Sequence, residues 1–112
     1  EWYRAELKKQ TPAIIEKWAK ILEVKVNGWQ VKQMKTKWGS CNIEKKRVWI
    51  NLELAKKPER CLEYIIVHEM IHFLERHHKD KFLYYMDMYL PSWKKLKTEL
   101  NKFPASHADW NY

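Results

Sequence analysis

Three chemically capable side chains fall within five consecutive positions: His68, Glu69 and His72, in the pattern HExxH. On a helix, residues four apart stand one above the other, so both imidazoles reach a single metal ion. Glu69, rotated by about a quarter turn, then addresses a water at that ion. Zinc in such a site lowers the pKa of its water to roughly 7, and the carboxylate takes the proton as hydroxide attacks a polarised carbonyl. The expected chemistry is metal-assisted hydrolysis.

The competing explanation is a pair of core histidines satisfied by hydrogen bonds. The flanks argue for the metal. Ile65, Ile66, Val67, Met70, Ile71, Phe73 and Leu74 are all uncharged, so the motif sits on a helix expected to be buried. Placing a carboxylate and two imidazoles there costs on the order of several kcal/mol unless something pairs with them. A zinc site of this type needs a third protein ligand and leaves one position for water. The remaining histidines are His77, His78 and His107, and the carboxylate candidates are Glu75, Asp80 and Asp87. If the helix ends near Arg76, residues just past the turn fold back toward the metal. His78 is the choice and His77 the competitor, suited to an exposed position or to a donor beside the reacting carbonyl.

The elements that position these groups follow from patterning. Apolar residues from Trp2 to Leu22 recur with helical spacing, interrupted at Thr11 and Pro12. Pro12 therefore either kinks this helix or starts a second one with Thr11 as its cap. Val24 to Met34 alternates around Asn27 and Gly28 and reads as strand, with a short hairpin as one form. Trp38 to Cys41 and Arg47 to Asn51 bracket a polar turn and predict two antiparallel strands. Pro58 opens a long helix to about Arg76. Further helices are expected at Asp80 to Leu90, ending at Pro91, and at Trp93 to Lys102. The expected fold class is α+β: a small antiparallel sheet packed against the HExxH helix, with flanking helices. Residues 1–102 form one domain in this reading and 103–112 a tail.

Composition narrows the setting. The chain has 112 residues, of which 46% are hydrophobic and 32% charged, a balance that excludes disorder and fibrous repeats. No apolar run approaches the ~20 residues of a membrane span, and no charged-then-apolar leader opens the sequence, so the expected location is cytoplasmic. Cys41 and Cys61 form no CxxC pair, which excludes a zinc ribbon or a thioredoxin-type site. Neither Ser40 nor Cys41 has a base at local spacing. Cys61 stands two turns before His68 on the same helix face and reads as core. The net charge of +8 lies wholly in residues 1–60. Lys25, Lys32, Lys35, Lys37, Lys45, Lys46 and Arg47 face only Glu44, so the 25–47 segment is a possible nucleotide or nucleic-acid contact, or simply a solvated surface.

KTKWGSC at 35–41, NLELAKKP at 51–58, YIIVHEMIH at 64–72 and HHKDKF at 77–82 occur in this order. Together they resemble the YgjP-like metallopeptidase domain, and more distantly SprT-like proteases. The resemblance is specific from Lys35 to Phe82 and extends more weakly from Tyr3 to about Leu100. It implies a zincin-like zinc metallopeptidase with His68, His72 and His78 as ligands, Glu69 as catalytic acid and base, and a peptide or protein substrate. His77 stands where the family often has Asn, and Leu83 where it often has an aromatic. Family proteins are commonly longer, and the chain resembles their carboxy-terminal portion. Similar zinc peptidases hold substrate along an edge strand, a role open to the WGSC segment; the alternative is a core strand with Trp38 as packing. Tyr64, Tyr84 and Tyr85 are candidate donors to the developing oxyanion. Two other functions stay open: a nucleoside-triphosphate pyrophosphatase at the same metal, and a DNA-associated SprT-like protease.

Overall fold

A computed structural model of the chain describes residues 2–102. The expected tail, with His107, lies outside the described residues. The order is α1 (Trp2–Leu22), β1 (Gly28–Lys32), β2 (Gly39–Asn42), β3 (Arg47–Asn51), a 3-10 turn (Leu52–Lys56), α2 (Glu59–Ile71), α3 (Asp80–Tyr89) and α4 (Trp93–Lys102). The fold is α+β, and α2 is its axis: α1, the sheet, α3 and α4 all pack on it.

The sequence of α2 explains that position. A helix apolar on every side has no face to give to water, and Leu62 and Tyr64 through Ile71 are all buried. Fully burying each large aliphatic side chain contributes about 1.5–3 kcal/mol, so the helix is held in place from several directions. It is shorter than expected. After Ile71 the amides of His72, Phe73 and Leu74 bond to carbonyls three residues back, which tightens the chain into a turn. Leu74 is exposed, so apolar burial no longer carries the helix toward Arg76.

Pro12 neither breaks nor restarts α1, which is one helix through that position. Leu7 lies buried before the proline and Ile14, Ile15, Trp18 and Leu22 after it. Packing of that face on α2 offsets the roughly 3 kcal/mol a mid-helix proline costs. Thr11 is accordingly not a cap; its Oγ1 is buried without a hydrogen-bond partner among the described residues. Trp18 Nε1 and Lys17 Nζ both reach Glu63 Oε2, at 2.7 and 3.0 Å, and tie α1 to α2.

The sheet differs from the expected one in a single pairing. β2 and β3 are antiparallel, with Gly39 opposite Ile50 and Asn42 opposite Arg47. β1, however, runs parallel to β3, so the sheet is mixed, in the order β1-β3-β2. No hairpin forms at Asn27 and Gly28. Asn27 instead donates its amide to the Lys46 carbonyl at 2.7 Å and its side chain to the Lys45 carbonyl at 3.2 Å. Residues 33–38 then carry the chain across to the far edge. Fully buried Asn51 holds that crossing: Nδ2 donates to the carbonyls of Met34 (3.1 Å) and Lys37 (2.6 Å), and Oδ1 accepts from the Glu53 amide (3.0 Å). Trp38 follows, fully buried, with Nε1 donating to Asn101 Oδ1 at 3.0 Å. Trp38 thus packs in the core, as one expected reading of WGSC has it, and β2 lies at a sheet edge.

Candidate metal centre

His68 occupies the last turn of α2, and His72 caps it. The tight turn that follows returns the chain so that His78, just before α3, meets them from the other side. His78 Nε2 lies 3.0 Å from His68 Nε2 and 2.6 Å from His72 Nε2. Among the described residues these three make up the group of potential metal-ligating side chains. Phe82 packs on all three rings, with centroid distances of 5.0, 4.7 and 4.8 Å to His68, His72 and His78. This buried side chain props the cluster, a role that sequence reading did not assign to it.

The protons do not suffice for the cluster to satisfy itself. A neutral imidazole carries one N–H. His72 directs Nδ1 at the Glu75 carbonyl, 3.3 Å away, and a carbonyl only accepts, so the Nε2 of neutral His72 is a bare lone pair. His78 Nε2 has at most one proton to offer two nitrogens. Supplying more protons is resisted electrostatically. Burial, then the neighbouring His72, His78 and Lys97, holds His68 well below the usual imidazole range. Burial also lowers His72 and His78. Three convergent, neutral, electron-pair donors are a donor set that a divalent cation completes.

The other candidates lie elsewhere. The His77 imidazole is exposed and outside the convergent group, and its backbone carbonyl accepts from the Lys79 amide at 2.9 Å. Glu75 contributes its carbonyl rather than its carboxylate, and Asp87 accepts from Trp93 Nε1 at 2.7 Å. Of the three tyrosines, Tyr64 is buried beside His68, at a centroid distance of 6.0 Å, whereas Tyr84 is exposed. Tyr84 and Tyr85 line neither cavity next to the histidines.

Glu69 faces a cleft of about 430 Å³ that runs between the three histidines and β2. The carboxyl group is almost fully buried, and burial pushes its pKa up to about 8, against the lowering pull of a hydrogen bond from the Cys41 thiol and of the nearby Lys37 charge. Gly39 makes room for it. A Cβ there would stand 2.7 Å from Ile65 Cγ2 and 3.2 Å from Glu69 Oε2, so any side chain would push into α2. Sequence reading missed both relations, since neither has a local signal. Of the seven basic residues between 25 and 47, Lys37 alone lines the cleft. Lys46 sits over the Phe73 ring at 5.3 Å.

An α+β frame with a central HExxH helix and a third histidine returning to it defines the class, a metallopeptidase. The frame matches two solved structures in particular. The metallopeptidase zymogen abylysin of Pyrococcus abyssi is 15% identical, with a TM-score of 0.72 over 80% of this chain and 90% of that one. The metallopeptidase zymogen jannalysin of Methanocaldococcus jannaschii is 24% identical, with a TM-score of 0.69 over 80% and 92%. At these identities the likeness shows the fold. The chain belongs to the YgjP-like metallopeptidase domain family, whose model matches residues 1–103. No curated protein sequence matches it. No described helix is long and apolar enough to cross a membrane.

Proposed function

We propose that residues 1–102 form one catalytic domain that hydrolyses peptide bonds with zinc held by His68, His72 and His78. The observation carrying this reading is the convergence of three neutral imidazole nitrogens beside a buried carboxyl group that opens on a cleft. Zinc bound there supplies a Lewis acid that acidifies water and polarises the scissile carbonyl. The edge of β2 pairs with an extended peptide through backbone hydrogen bonds and lays it along the cleft. Glu69 accepts a proton from the attacking water as the carbon–oxygen bond forms. It then passes that proton to the amine as the carbon–nitrogen bond breaks. A cytoplasmic setting suits the two free thiols, Cys41 and Cys61.

Glu69→Gln keeps the three imidazoles and removes the base. The expected result is unchanged zinc content with hydrolysis reduced roughly 10²–10⁴-fold; a metal-replete variant that still turns over would sink the assignment. Peptides are favoured over nucleoside triphosphates and DNA because the basic 25–47 segment sends only Lys37 to the cleft. A substrate panel of peptides and nucleoside triphosphates, with DNA binding measured at low salt, checks that preference.

A further inference from the structure

A second hollow, of about 220 Å³, lies against the histidine cluster and shares His68 and His78 with the larger cleft. Its walls are Tyr64, Phe82, Leu83, Met86 and Trp93, with Lys97 of α4 at one side. This is below the roughly 300–1,000 Å³ of pockets that hold drug-sized ligands, so it suits one residue's side chain.

Lys97 is the unusual member. It is half-buried, and it has no ion-pair or hydrogen-bond partner among the described residues. It lines the hollow together with His68 and His78, and its positive charge acts on both imidazoles. A lysine that only covered apolar surface with its stem would carry its head away from other positive groups. An unpaired ammonium on an apolar wall is matched by an anion that arrives with an apolar body, and charge-assisted bonds to carboxylates are among the strong ones.

We propose that this hollow is a substrate subsite that takes the side chain of one residue adjoining the scissile bond and pairs Lys97 with a carboxylate on that residue. The inference rests on the peptidase reading, which places the scissile bond at the shared histidines. The carboxylate is either the free C-terminus of a terminal apolar residue or the side chain of an acidic one. Preferred peptides are therefore cut one residue from a free C-terminus or beside Asp or Glu.

The test is binding, read without turnover. N-acetylphenylalanine, N-acetylphenylalaninamide and the α-amide of N-acetylglutamate are titrated against the metal-loaded and metal-free chain, following the Trp93 indole N–H by NMR. At least one acid should bind about tenfold more tightly than the neutral amide in both forms, and which acid does so identifies the source of the carboxylate. Lys97→Met should abolish that advantage and Lys97→Arg keep it. Equal affinities for acids and amide in the unmodified chain overturn the proposal without any variant. So does an advantage that survives Lys97→Met, or one confined to the metal-loaded form. A chain that binds in this way yet cleaves no peptide contradicts the peptidase reading and leaves the subsite standing.

Discussion

The Cys41 thiol, on the edge strand of the sheet, donates a hydrogen bond to the carboxyl group of Glu69 on the central helix. Burial first, and then the Glu69 charge, pushes the thiol's own pKa up to about 12. It therefore stays protonated at neutral pH and acts as a donor rather than a nucleophile. A donor to a carboxylate favours the charged form and lowers its pKa.

Cys41→Ala removes that donor. On the proposed role of Glu69 as base, which requires its ionised form, the acid limb of the kcat/KM profile should move to higher pH, and Cys41→Ser, with a hydroxyl donor, should restore much of it. Identical limbs in the unmodified chain and Cys41→Ala would show that the thiol does not tune the base. Slow alkylation of Cys41 in the folded chain checks its protonation independently.

His78→Ala should lower metal affinity by orders of magnitude, because it takes one of three convergent nitrogens away, while His77→Ala should leave metal content unchanged. Metal analysis after dialysis against a weak chelator decides between them. Retention of metal in His78→Ala with loss in His77→Ala would reverse the assignment of the third ligand.

Glu69 and the three histidines make opposite contributions to the stability of the metal-free chain. Glu69 is raised from 4.5 to about 8, so the folded state binds the proton more tightly and stability falls as pH rises across that window. The histidines are lowered from 6.5, chiefly by burial, so their contribution is lost as pH falls below 6.5. Glu69→Gln removes the first effect and keeps the second. Its stability relative to the unmodified metal-free chain should therefore grow from pH 4.5 to 8, by on the order of a few kcal/mol. Thermal or urea unfolding at several pH values measures this, and a difference that stays flat would place the Glu69 carboxyl in a more polar environment.

Helix-borne features were legible in the sequence because one helix has one period. The spacing of His68 and His72 places them on a common face, and the uncharged flanks announce burial, whatever the rest of the chain does. The ends of α3 and α4 were readable for the same local reason, Pro91 standing between them. Strand positions were legible as segments and not as neighbours. Alternation in β1 says which face is apolar, but parallel and antiparallel pairing share the same two-residue period. Only the crossing held by Asn51 decides that β1 runs alongside β3.

The sequence by itself determined the HExxH helix, its buried character and the availability of His78 just beyond the turn. Tertiary structure alone decided what surrounds those groups: the Cys41 donor, the space left by Gly39, the Phe82 ring beneath all three imidazoles and Lys97 on the adjoining wall. Most of these contacts join residues far apart in the chain. Such contacts are set by how whole elements pack, and no periodicity within one segment records what another segment will press against it.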